Sequence, residues 1–174
     1  MCDSGPLTHL WQVDLWAAFG TFGHISLATQ VAREVRRHAP LDQFERLAGC
    51  ALSTCDVPQT DVASCRSTLP PQLELQDADV ATLHLARKLG PDFVLTDDLD
   101  VRRAVESQRQ TPMGSVGILM RAYKAGLLNA ASLDRAIDRL FVHSTLYLSP
   151  AFKSHVKRQV AQLTALGRNP GAAD

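Results

Sequence analysis

The sequence has no net charge, no long apolar run and few cysteines, and each absence argues against a class of protein. Its 18 Lys and Arg residues are balanced by 18 Asp and Glu residues. The overall charge therefore gives no support for nucleic-acid binding, although such a sum hides any local basic face. No apolar run approaches the ~18 residues that a membrane span needs, and no secretory signal is recognised. These features predict a cytoplasmic protein without a membrane partner.

The four cysteines are too few and too irregularly spaced for a disulfide framework. Three of them cluster, Cys50, Cys55 and Cys65, and together with His38 they raise the question of a zinc site. Their spacing matches none of the usual pairs of ligands separated by two residues, and no second pair is present. Reduced thiols without structural zinc are therefore the expectation.

The stretch 77–103 predicts a helix, a buried strand and a second helix in close succession. Its strand, Phe93–Thr96, is short and rich in β-prone residues, as strands buried on both faces are. Asp97 and Asp98 follow the strand directly, where either can cap the helix predicted over about 99–107. Ligands bind at the carboxyl ends of strands in open α/β sheets. Acids at this place therefore indicate a functional site as well as a cap.

Short strands alternating with helices predict a parallel sheet sandwiched between helices, within a single domain at residues 1–166. A helix is expected over about 41–52. Residues 53–71 are rich in Ser, Thr, Pro and Asp without periodicity, which predicts an irregular loop insertion. Residues 145–148 are expected to form a strand, and 167–174 a frayed tail.

Five acidic residues are expected at one edge of that sheet. Asp3 follows a very short first strand, and Asp97 and Asp98 follow a later one. Glu34 and Asp79 lie near the starts of helices that border the same edge. Converging carboxylates repel one another and are costly to bury unpaired, so a cluster indicates a cation. Oxygen ligands favour Mg²⁺ or Mn²⁺, which polarise a phosphodiester and activate water. The alternative is that each acid is a helix cap or a surface charge.

Several segments, in this order and spacing, resemble PIN-domain proteins. They are Asp3–Leu7, the helix Val31–Val35, Asp79 within ADVATLHLA, Val94–Arg102, Gly114–Leu119 and Ala122–Leu127. The resemblance extends from Asp3 to about Val160, leaves residues 53–70 unmatched, and is closest to a prokaryotic branch related to VapC-type toxins. It implies a Rossmann-like three-layer α/β/α fold with a central parallel sheet of short strands.

The resemblance also implies a ribonuclease that depends on Mg²⁺ or Mn²⁺. Its catalytic acids would be Asp3, Glu34, Asp79 and Asp98, and its metal ligands Asp3, Asp79 and either Asp97 or Asp98. Ser4, Arg102 and Ser115 would position the substrate. Position 79 carries Glu in many relatives, so the shorter Asp here is a departure. Partners expected with this resemblance are RNA, an antitoxin protein and a second copy of the chain.

Two alternatives to cleavage stay open. One is a PIN-like module that binds RNA or a protein without cutting, and the other is a protein-binding α/β domain whose acids are caps. The first would be favoured by loss of the acids, yet all four positions remain acidic. Arginines expected to contact RNA phosphates, and to make binding weaken with salt, are Arg33, Arg36, Arg37, Arg102 and Arg103.

Overall fold

Within residues 1–167, four short strands form two parallel pairs. The computed structural model describes residues 1–167, with side chains through residue 163. Its strands are β1 (His24–Ala28), β2 (Ala51–Cys55), β3 (Val94–Leu95) and β4 (Pro112–Met113). β1 pairs with β2 so that Ser26 lies opposite Ser53, and β3 pairs with β4 so that Leu95 lies opposite Met113.

The N-terminal residues join the two pairs into one layer. Cys2 forms a parallel bridge with Leu95. Its N–H donates to the Ser26 carbonyl at 3.0 Å, and the Asp3 N–H donates to the Leu95 carbonyl at 2.8 Å. Residues 1–3 therefore lie between β1 and β3, and the order across the sheet is β2, β1, residues 1–3, β3, β4. The predicted α/β fold with a central parallel sheet of short strands is confirmed.

Helices connect the strands and pack against the sheet. Within residues 1–167 they are α1 (Ser4–Gln12), α2 (Thr29–Val35), α3 (Phe44–Ala48), α4 (Gln59–Arg66), α5 (Asp77–Leu89), α6 (Leu99–Ser107), α7 (Ser115–Lys124), α8 (Ala130–His143) and α9 (Pro150–Gly167), with 3-10 turns at Trp16–Thr21 and Leu41–Gln43. α2 and α5 both contact β1. None of the helices in this described part is both long and apolar enough to cross a membrane.

Buried apolar faces hold the two helices that begin at the acidic edge. α1 buries Leu7 and Leu10 completely, and the Trp16 indole N–H donates to the Leu7 carbonyl at 2.7 Å. α5 buries Val80 and Leu83 completely, as its helical periodicity predicts. Because both helices are fixed by the core, the acids at their first turns have defined positions.

The prediction of an irregular loop over 53–71 is wrong for most of its length. Its first residues belong to β2, and Gln59–Arg66 is helix α4. α4 packs on α5 and buries Val62 and Cys65. Because the segment has so few apolar residues, its sequence shows little helical or strand periodicity. Its regular structure comes instead from the pairing of β2 with β1 and from the packing of α4 on α5.

Two other predicted elements also differ. The helix expected over 41–52 ends early, because Gly49 adopts the left-handed conformation (φ 64°) and β2 follows. Residues 145–148 form no strand, and the Thr145 N–H instead donates to the Gln12 side chain at 2.8 Å. Residues 168–174 of the predicted tail lie outside the described residues.

Candidate metal-binding and catalytic site

An acidic pocket lies at the edge of the sheet where the central strands end. It has a volume of about 360 Å³. The carboxylates that line it are Asp3, Glu34, Glu74, Asp79, Asp97 and Asp98. The structure therefore brings together all five acids that the sequence singles out, and it adds Glu74. Their catalytic and metal-binding roles stay predictions.

Asp3 is the most deeply buried of these acids, with 4% of its surface exposed. It precedes α1 as the N-cap, and its Oδ1 accepts the Ser4 N–H at 2.7 Å. Its Oδ2 accepts the Thr96 hydroxyl at 3.0 Å. Burial, followed by the negative charge of Asp79, raises the pKa of Asp3 to about 7 despite these hydrogen bonds. The positive charge near Asp3 is therefore too small to offset the cost of burying its ionised carboxylate.

Asp79 lies in the first turn of α5, opposite Asp3. Its Oδ2 accepts the Gln76 N–H at 2.7 Å, as one half of a capping box. Burial raises the pKa of Asp79 to about 6, and the charges of Asp98 and Glu34 add to the effect. Two carboxyl groups with raised pKa values therefore line one pocket. A cation bound between them would stabilise their ionised forms.

Asp98 is the N-cap of α6, and its Oδ1 accepts the N–H groups of Asp100 and Val101 at 2.8 and 2.9 Å. Glu34, near the end of α2, also lines the pocket, and its charge acts on both Asp3 and Asp79. Capping occupies one oxygen of Asp98 and one of Asp79. Their second oxygens accept no hydrogen bond from the residues described, so they can still accept a ligand.

Asp97 is held differently, by three hydrogen bonds. Its Oδ1 accepts the Ser115 N–H at 2.7 Å, and its Oδ2 accepts the Ser115 hydroxyl at 2.5 Å and the His9 Nδ1–H at 2.8 Å. Because three donors fix this carboxylate at the start of α7, Asp97 is rigid, whereas Asp98 is exposed. The two acids therefore differ in hydrogen bonding and exposure, although the sequence leaves both as candidates for the same metal ligand.

A methyl group at position 114 is expected to displace Asp97. A Cβ built on Gly114 lies 2.8 Å from Asp97 Oδ1, closer than real Cβ contacts allow. Gly114→Ala should therefore lower the free energy of unfolding by about 1–3 kcal/mol. Gly23→Ala is the matched control, because its Cβ meets no atom within 4 Å and its φ is not positive. Denaturant unfolding that gives the same change for both variants would contradict this placement of Asp97.

The residues expected to position substrate occupy two different places. Ser4 lines the acidic pocket, and Ser115 reaches that pocket only through Asp97. Arg102 lines a neighbouring groove instead. Among the described residues, none of the arginines expected to contact phosphate lines the acidic pocket. Arg33, Arg36 and Arg37 are exposed on and after α2.

Oxygen donors of this kind suit Mg²⁺ or Mn²⁺ rather than zinc. Burial, with the charges of neighbouring carboxylates added to it, raises the pKa values of Asp3 and Asp79, and a cation beside them would favour their ionised forms. In the described residues, however, no three His, Cys, Asp or Glu side chains are already arranged around one point as ligands. The donor chemistry therefore fits a divalent cation, while the side-chain arrangement is not a finished coordination shell. The expected absence of zinc at the cysteines stays a prediction.

Sequence reasoning missed His9 and Tyr147, which also line the pocket. His9 follows Gly5 by four residues on α1, so the two share a helix face. A Cβ on Gly5 would lie 3.6 Å from the His9 ring and 3.5 Å from Asp97. Gly5 and His9 lie on one face of the helix that begins directly after Asp3. This spacing is a sequence signal that could have identified His9 as a residue of the site. Tyr147 lies in an irregular segment, where periodicity gives no signal.

Comparison with known proteins gives one match. The sequence model of the PIN domain matches residues 1–162. No curated protein and no solved structure matches the chain.

Proposed function

The chain belongs to the PIN-domain family, and from this premise we propose that it is an endoribonuclease that depends on Mg²⁺ or Mn²⁺. The acidic pocket would hold the cation and the scissile phosphodiester of RNA. An antitoxin partner and a homodimer stay predictions from the resemblance, because no contact within the described residues bears on either.

One observation carries the proposal. Asp3, buried and with a pKa raised to about 7, shares a pocket with Asp79, whose pKa is raised to about 6. An acid that serves only as a cap is stabilised by its hydrogen bonds and has no need of further acids beside it. A cation bound in this pocket would lower both pKa values, so binding of a positively charged ligand would stabilise the two carboxylates.

The residues of the chain have separable tasks in this proposal. Asp3, Asp79 and Asp98 would hold the cation with oxygens that their cap hydrogen bonds leave available. When bound, the cation polarises the phosphodiester and favours ionisation of the attacking water. Glu34, which also lines the pocket, would accept a proton from that water. Asp97, held by Ser115 and His9, would keep the start of α7 in place beside the substrate.

A cleavage assay with an acid-to-amide pair tests the proposal. The purified chain is incubated with end-labelled single-stranded RNA in Mg²⁺, Mn²⁺ or EDTA. Asp98→Asn retains a good N-cap but removes a negative charge from the pocket, so cleavage should fall by about a hundredfold or more. Asp14→Asn is the control, because Asp14 is exposed outside the pocket with a φ of 58° that Asn tolerates.

RNA that is bound but left uncut with both metals would contradict cleavage and favour the non-cleaving module. Equal loss of cleavage in Asp98→Asn and Asp14→Asn would show that the change does not act through the pocket. Cleavage that persists in EDTA would contradict the dependence on a divalent cation.

A further inference from the structure

A second, largely apolar cavity adjoins the acidic pocket. This groove has a volume of about 600 Å³ and runs between the start of α7, the segment 146–149 and α9. Its wall includes Met113, Val116 and Met120. Asp97, Leu146 and Tyr147 line both cavities, so the groove is continuous with the acidic pocket.

Two aromatic side chains stand open to solvent along the groove. Tyr147 is 90% exposed and lies where the groove meets the acidic pocket, and Phe152 on α9 is 41% exposed. A tyrosine that buries almost none of its ring contributes little to the stability of the fold. An exposed ring beside a cavity where phosphodiesters are proposed to be cut is instead placed to stack on a nucleobase.

The charge of the groove differs from that of the pocket. Arg102 and His155 line it, and Asp97 is its one acid among the described residues. A Cβ on Gly114 would lie 3.6 Å from Arg102 Nη1 and 2.8 Å from Asp97 Oδ1, so this guanidinium lies near the junction. Arg103 on the same helix pairs with Asp100 at 2.8 Å, whereas Arg102 has no such ion pair within the described part of the chain.

We propose that this groove binds the single-stranded RNA that flanks the scissile phosphodiester, with Tyr147 stacking on a base and Arg102 contacting a phosphate. The inference rests on the proposed function, because it takes the occupant of the acidic pocket to be RNA. An apolar wall with exposed aromatic rings suits bases, and an arginine without an ion pair suits the phosphates between them. A duplex hides the faces of its bases, so single-stranded RNA is the class that the groove selects.

Binding measured in EDTA separates this inference from cleavage. The probe is a fluorescein-labelled, single-stranded RNA 12-mer of mixed sequence, titrated with the full chain and followed by anisotropy. Tyr147→Ala should weaken binding about tenfold, as the loss of one stacked base does, whereas Tyr147→Phe should bind as the wild type does. Arg102→Ala should reduce the slope of log affinity against log salt by about 0.7. Val142→Ala is the control, because Val142 is 63% exposed and lines neither cavity.

Each outcome decides one of the two proposals. Weaker binding by Tyr147→Ala supports the groove even if the wild type cuts no RNA, in which case only the nuclease proposal fails. Unchanged binding by Tyr147→Ala in a chain that does cut RNA overturns the groove and leaves the nuclease standing. A wild type that does not bind the 12-mer, or that prefers the same sequence as a duplex, also overturns the groove and leaves its apolar wall to a protein partner.

Discussion

Asp3→Asn is expected to abolish cleavage and to make the metal-free protein more stable than the wild type at neutral pH. Asn keeps an oxygen that can accept the Ser4 N–H and cap α1. It removes the carboxylate whose pKa is raised from 3.8 to about 7. The variant should therefore fold with its first helix intact while lacking the most buried charge of the acidic pocket.

The sign of the pH effect follows from proton binding. Between about pH 4 and pH 7 the folded wild type holds a proton on Asp3 that the unfolded chain releases. The stability that this proton contributes is complete below the unfolded pKa, near 3.8, and is lost as the pH rises through about 7. Each unit of pKa shift corresponds to about 1.4 kcal/mol. The free energy of unfolding of Asp3→Asn, relative to the wild type, should therefore rise by up to about 4 kcal/mol over the whole range, and by about 2.7 kcal/mol of this between pH 5 and pH 8.

Urea unfolding in EDTA at pH 5 and pH 8 measures the change, and subtracting the two proteins cancels the titrating groups that lie away from Asp3. Asp14→Asn serves as the control for the loss of an exposed carboxylate outside the acidic pocket. A difference between Asp3→Asn and the wild type that is the same at both pH values would contradict the raised pKa. Cleavage by Asp3→Asn at the wild-type rate would remove Asp3 from the site.

The central unit of the chain is predictable because local and tertiary signals agree there. α5, β3 and α6 follow from helical periodicity, a short β-prone run and an Asp N-cap, and each of the three is present in the structure. The order of the sheet is not readable in this way. The very short first strand expected before Asp3 has too few residues to show its place in the sheet, yet backbone hydrogen bonds to β1 and β3 place residues 1–3 at the centre. A strand this short is held by its hydrogen bonds to neighbouring strands, and its sequence is too short to show the alternation of apolar and polar residues that predicts a strand.

The same reasoning explains what the sequence could predict of the site. Acids at strand ends and helix starts are visible as a pattern, and the structure brings all of them to one pocket. His9 and Tyr147 could not be identified from the sequence, because only the fold brings them to the pocket. His9 on α1 hydrogen-bonds to Asp97, and Tyr147 lies in an irregular segment. The two regions whose secondary structure was predicted wrongly differ in opposite directions. Residues 59–66, expected to be a loop, form a helix that packs on α5, while residues 145–148, expected to be a strand, have no regular structure.

Capping and metal binding, which the sequence offers as alternatives, are compatible in this geometry. Asp3 caps α1, Asp79 belongs to the capping box of α5, and Asp98 caps α6. Among the described residues, Asp79 and Asp98 each keep one oxygen that accepts no hydrogen bond, and the oxygen of Asp3 that does not cap α1 accepts only the Thr96 hydroxyl. Substitution by Asn preserves the cap and removes the charge, whereas Ala removes both. Amide variants are therefore the ones that separate a structural role from a role in binding a cation.

Asp79→Asn is expected to lose most of the stabilisation that Mn²⁺ gives the wild type. A ligand that binds only the folded state stabilises it by about 2.7 kcal/mol at a concentration of 100 times its Kd. If Asp79 is one of the ligands, the variant binds Mn²⁺ more weakly and its melting temperature rises much less. In EDTA the variant should hold its stability or gain on the order of 1 kcal/mol, because a carboxyl group with a pKa raised to about 6 is replaced by a neutral amide.

A purely capping role for Asp79 predicts a different pair of results. Asn would then cost little and Ala about 0.5–2 kcal/mol, because only Ala removes the acceptor for the Gln76 N–H. Neither variant would change the response to metal. Thermal melts of the wild type, Asp79→Asn and Asp79→Ala, each in EDTA and in Mn²⁺, distinguish the two roles. The shift on adding Mn²⁺ is the deciding measurement, and an equal upward shift in Asp79→Asn and the wild type would show that Asp79 is not a metal ligand.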